Sequence, residues 1–167
     1  MNIQVSQKIR LLQTVSYYLL YIPLGYVMAS LGPSLPVIAE QTNSTLSTIG
    51  LLFTTRSIGF LGGAISGGNL FDKFAGNRVV AAMIGIMAFT FTLIPLQANF
   101  WVLTIIFIIL GFSQGALDVG GNTLLVWTHG IKVAPFINGL HAFFGIGAFV
   151  SPFVITAIEM VYGDIQW

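Results

Sequence analysis

Five apolar runs, separated by short polar breaks, constrain this chain more than any other feature of it. They cover roughly 11–37, 47–71, 79–96, 100–127 and 135–162. A helix of about 20 apolar residues crosses the hydrocarbon core of a bilayer, and each run reaches about that length. Composition agrees: 56% of residues are hydrophobic, 7% are charged and the mean hydropathy is +0.91. A soluble domain carries about a quarter charged residues. The solvent of this chain is lipid. The basic start before the first run looks like a secretory signal, but that run is about twice too long and others follow, so it reads as a retained span. With no cysteine, there is no disulfide framework, thiolate nucleophile or cysteine metal site.

The breaks hold turn formers or charge: Glu40 to Ser44, Asp72 to Arg78, Gln97 to Asn99, and His129 to Lys132. Ser44 or Thr45 supplies an N-cap for the second span. Lys8 and Arg10 precede the first span, Lys73 and Arg78 occupy the second break and Lys132 the fourth. The opposite side offers Glu40 and Asp164, with Glu159 near the end of the fifth span, and no Lys or Arg. The positive-inside rule then predicts a cytoplasmic N-terminus and an external end to the fifth span. Trp101 and Trp127 bracket the fourth span as interfacial anchors do.

Polar residues inside the spans mark where chemistry would sit. Gln114, Asp118 and Asn122 recur every four residues, which places them on one helical face. An ionised carboxylate near the bilayer centre costs about 2.5–3.5 kcal/mol, so Asp118 is expected to bind a solute or cation rather than only bridge helices. Arg56 is the one basic residue within a span, at nearly the depth of Gln114. A guanidinium cannot neutralise itself; it either pairs with Asp118 or lines a polar cavity. His141 falls opposite Asn122, as a packing residue or a proton relay, and Tyr26 and Asn138 are further lining candidates. Gly111-Phe112-Ser113-Gln114-Gly115 reproduces a nucleophile-elbow pattern, but a continuous apolar helix lacks the strained turn that motif needs. No enzyme and no resident cofactor or metal are expected.

Glycines recur inside the spans, at 59, 63 and 67 and again at 111 and 115, where they let helix backbones approach. An internal repeat is also legible. Gly25 to Leu31 aligns with Gly111 to Leu117 at an offset of 86, and Phe60 to Ala64 with Phe144 to Ala148 at an offset of 84. Two similar offsets predict three-helix units repeated with inverted topology.

Between the second and third spans, Gly68, Asp72, Lys73, Gly76 and Arg78 form a loop that resembles the signature loop of major facilitator transporters, with Ala75 pushing the second glycine one residue late. The segments Leu31 to Pro36, Thr55 to Phe60, Ala116 to Asn122, and Leu140 to Ala148 with Ser151-Pro152 form an ordered set similar to the branch holding sodium-dependent glucose transporters and fucose–proton symporters. The resemblance implies an all-α membrane protein, a single domain over 1–167 that is the five-helix part of a six-helix N-terminal bundle, with the sixth helix and the C-terminal half lacking. It implies that Asp118 serves solute binding and cation coupling. The fucose symporters have a further acid in the first helix, where this chain has Ala29, so two-acid proton coupling is not implied.

The resulting expectation is a fragment of a secondary transporter moving a small polar solute, sugar-like, coupled to H+ or Na+, in a bacterial inner membrane or eukaryotic plasma membrane. Its partners are the lipid bilayer, the solute and the missing half; nucleic acid is not among them. The competing expectation is a self-standing five-helix subunit or scaffold without transport activity.

Overall fold

The structure is a computed structural model and describes residues 7–162, the side chains at 159, 161 and 162 excepted. The acids Glu159 and Asp164 of the expected outer side therefore lie outside what is described. The described chain is helical: α1 (Gln7–Ser30), α2 (Leu35–Gln41), α3 (Leu46–Lys73), α4 (Gly76–Leu93), α5 (Phe100–His129) and α6 (Ala134–Tyr162). Short 3-10 turns at Ile94–Leu96 and Gly130–Lys132 follow α4 and α5. All except α2 are long and apolar enough to cross a membrane.

The first apolar run is not one helix. Expected over 11–37, it breaks after Ser30, and α2 resumes at Leu35. The cause is the Gly32-Pro33 pair: proline has no N–H to donate and disfavours helical geometry in the residue before it. Ser34 bridges the break, its hydroxyl donating to the Ser30 carbonyl at 2.8 Å. At the far end of α2, Asn43 takes a positive φ of 50°, a left-handed turn that asparagine tolerates.

Local chemistry sets the other helix ends. Thr45, one of the two expected caps, accepts from the Thr48 amide at 3.2 Å and starts α3. Asn99 accepts from the Trp101 and Val102 amides and starts α5. Gly130, with φ of +56°, ends it. Gln41 clasps α2 to the α4–α5 turn, donating to the carbonyls of Pro95 at 2.6 Å and Gln97 at 3.0 Å.

Two parallel helix pairs dominate the packing, α3 with α5 and α1 with α6, and α4 lies against α5. Glycine makes the first two pairs. Side chains at Gly59 and Gly63 would strike the carbonyls of Ile108 and Phe112, and side chains at Gly111 and Gly115 those of Arg56 and Phe60. On the other pair, Gly25 lies against the Phe144 carbonyl and Gly147 against that of Ile22. Backbones this close are a membrane solution, since apolar burial gives no drive when the solvent is itself apolar. Outward from these seams stand exposed Leu12, Leu61, Ile65, Ile105, Phe149 and Phe153.

These contacts also correct the register of the repeat. Gly115 meets the Phe60 carbonyl and the Ala64 amide; Gly25 meets the Phe144 carbonyl and the Ala148 amide. Gly63 meets Phe112 as Gly147 meets Ile22. The offset from α3 to α6 is 84, as expected. From α1 to α5 it is 90, not 86. Gly111 and Gly115 lie one turn apart on the same face, so sequence similarity alone slides onto the wrong one.

Candidate solute and cation site

Asp118 stands midway along α5, partly exposed, and its surroundings are organised by a residue from another helix. The Tyr21 hydroxyl of α1 donates to the Asp118 carbonyl at 2.7 Å and lies 3.4 Å from the carboxylate oxygen Oδ1. Asn122, one turn on, donates from Nδ2 to the same carbonyl at 2.8 Å and approaches the Tyr21 hydroxyl at 3.5 Å. The network therefore grips the backbone of Asp118. Its carboxylate has that single 3.4 Å neighbour among the described residues. A carboxylate held in place but left with open acceptor capacity can take a cation, a proton or a solute hydroxyl.

The three-residue face divides on inspection. Asp118 and Asn122 come together around Tyr21, but Gln114, fully buried, has no hydrogen-bond partner for either amide atom. Arg56 does not pair with Asp118; its Nε and Nη1 are buried without a partner, and its backbone lies against Gly111, two turns from Asp118. Two strongly polar groups at mid-helix thus keep unmet hydrogen-bonding capacity, which costs free energy in an apolar interior. His141 reaches the cluster indirectly: its exposed ring stands edge-on to that of Tyr21, with centroids 6.3 Å apart. It does not bond Asn122. Asn138 is exposed and Tyr26 half-buried. Ser113 of the elbow pattern is buried in continuous helix with its hydroxyl on the Leu110 carbonyl, which leaves no nucleophile.

The ends that carry the basic residues gather at one side. Arg10, Gln13, Asn77, Trp127 and Thr128 line a cavity of about 380 Å³ between α1, the start of α4 and the end of α5. None of the expected binding residues lines it. Nearby, His129 Nε2 lies 2.7 Å from the Thr14 hydroxyl, which donates onward to the Arg10 carbonyl, so the ring donates to Thr14. The same ring stacks on Phe136 at 3.5 Å.

The loop residues fall on two helices. Gly68, Asp72 and Lys73 close α3, while Gly76 and Arg78 open α4. Asp72, Lys73 and Arg78 are exposed. A Cβ at Gly76 would come within 2.6 Å of Leu124 Cδ2 on α5, the far end of a flexible side chain that can turn aside. Ala75 is exposed at the N-cap, so the residue that displaces the second glycine costs no packing.

The family model described as the Major Facilitator Superfamily matches residues 17–167. The chain belongs to that superfamily. That superfamily is one of membrane transporters, not of enzymes. Among curated facilitators it is 35% identical over 149 residues to "Sodium-dependent glucose transporter 1" of Rattus norvegicus, covering 89% of this chain and 31% of that one. It is 36% identical over 135 residues to "Sodium-dependent glucose transporter 1A" of Mus musculus, covering 81% and 32%. To "Major facilitator superfamily domain-containing protein 4A" of Pongo abelii it is 30% identical over 143 residues, covering 84% and 28%. The chain thus spans about a third or less of the length of these relatives. No solved structure matches.

One residue of this facilitator's cluster went unread in the sequence. Tyr21 lies four residues from both Tyr17 and Gly25 on the buried face of α1. A tyrosine on an interior stripe beside a close-packing glycine was the available signal. Gly121, between Asp118 and Asn122, was the other: its missing side chain is what admits the Tyr21 ring.

Proposed function

We propose that the chain forms part of a secondary active transporter that moves a small polar solute of the sugar class by alternating access, coupled to H+ or Na+. Its N-terminus is cytoplasmic, and a second half of the molecule faces the exposed side of the Asp118 cluster. The observation that carries this reading is the state of Asp118: its carbonyl takes two side-chain donors while its carboxylate is left almost unpartnered. A purely structural acid would show the reverse, with its oxygens spent on neighbours. Gln114 and Arg56 add unspent donors and an acceptor, as a solute rich in hydroxyls requires. The names of the relatives support glucose as the solute type and sodium as the ion. Basic residues on one side support the orientation.

Asp118→Asn tests it in the full-length transporter. An amide can still accept a hydroxyl hydrogen bond but carries no charge and no exchangeable carboxyl proton. Accumulation of solute against a gradient is expected to be lost while solute exchange across the membrane persists. A variant that concentrates solute like the parent would make Asp118 a packing residue.

A further inference from the structure

The Tyr21 hydroxyl has one proton and two acceptors within reach, both on Asp118. The shorter contact, 2.7 Å, goes to the carbonyl; the longer, 3.4 Å, goes to Oδ1. Closing the longer one to ordinary O–H···O length takes a shift of roughly 0.7 Å. The ring cannot make that move. It is only 3% exposed, sits over Gly121 and meets the His141 ring edge-on. What can move is the hydroxyl proton, together with the partly exposed Asp118 side chain. The carbonyl does not lose its side-chain partner in the exchange, because Asn122 Nδ2 stays on it at 2.8 Å.

We infer that Tyr21 is a positioning residue for the cation-coupling acid: its hydroxyl turns onto the Asp118 carboxylate when that group is bare and back onto the carbonyl when a cation or proton occupies it. This rests on the cation-site reading given above. The hydroxyl then competes with the cation and sets the concentration at which the site fills. It also makes the bond between α1 and α5 depend on occupancy, since the donor serves side chain in one state and backbone in the other. The titratable and charged groups facing Asp118 are few. α1 presents Tyr21 and α6 presents His141 through the Tyr21 ring. α3 presents Gly67 at the neighbouring Ala116–Val119 turn, with Arg56 against Gly111 two turns away. On α5 itself, Gln114 and Asn122 carry no charge.

The test reads Asp118 directly. A hydrophobic carbodiimide labels the protonated carboxyl, bound Na+ protects it, and peptide mass spectrometry locates the adduct, with Asp118→Asn as the unlabelled control. Tyr21→Phe removes one oxygen and keeps the ring on Gly121. The half-protecting Na+ concentration is expected to fall roughly three- to tenfold in Tyr21→Phe, and the pH at half-labelling to rise by about 0.5–1, less than for a short charge-assisted bond. A structural role alone would lower the yield of folded protein and leave both midpoints in place. Unchanged midpoints, or movement in the opposite direction, overturn the role of Tyr21 and leave Asp118 as the site. Absence of any Na+ protection in the parent, with labelling at ordinary carboxylate pH, overturns the cation-site reading instead. Should Tyr21→Phe fail to fold, 3-fluorotyrosine at position 21, a stronger donor, is expected to raise the half-protecting concentration, and no rise would overturn the proposal.

Discussion

The ring of Tyr21 occupies the space that a side chain at Gly121 would fill: a Cβ at 121 would stand 2.6 Å from the tyrosine hydroxyl oxygen and 2.8 Å from Cζ. One helix supplies the knob and the other the absence of a side chain. That fit carries the hydroxyl of α1 to the acid of α5, so packing and polar chemistry meet in a single contact.

Gly121→Ala should therefore cost about 1–3 kcal/mol through overpacking, seen as a lower melting temperature in detergent. Gly85→Ala, on α4 with open space around it, is the matched control and should melt at or above the parent. Equal melting of the two would mean that the Tyr21 ring has other room.

Adjacent glycines on α3 give a sharper contrast. Gly63 lies against the Phe112 carbonyl, whereas at Gly62 the nearest atom is a Phe112 ring carbon at an ordinary 3.8 Å. Gly63→Ala should force α3 from α5 and destabilise clearly; Gly62→Ala should be neutral. The same melting measurement decides, and a reversed order would refute the seam.

Orientation can be read with two introduced cysteines, because the chain has none of its own. Asn43 and Asn77 lie at opposite ends of α3 and are both exposed. An impermeant maleimide added outside intact cells should label position 43 and spare 77. Labelling of 77 alone would invert the topology.

Asp72 is exposed at the end of α3 and has no hydrogen bond or ion pair among the described residues. A group unspent within this bundle is available to a contact outside it. Asp72→Asn, in the full-length transporter, should slow turnover severalfold while solute affinity stays within a few-fold. Lost affinity with normal turnover would place Asp72 in binding instead.

Sequence alone determined the solvent, the all-helical class and the four polar breaks between spans, because lipid demands long apolar helices and turns demand polar or glycine chemistry. It also singled out Asp118, since a charge in a span is costly enough to be conspicuous. It overran the break at Gly32-Pro33, where hydropathy stays high while the backbone cannot stay helical.

What only the tertiary structure decided is which residues meet. Helical periodicity puts Gln114, Asp118 and Asn122 on one face, but not what stands opposite. Tyr21, 97 residues from Asp118, arrives there through the glycine-set approach of helices. The sequence matched Gly25 to Gly111, and carbonyl contacts selected Gly115, one turn on. Periodicity within a helix is a local property of the chain; register and partners between helices are set by the shapes of both surfaces at once.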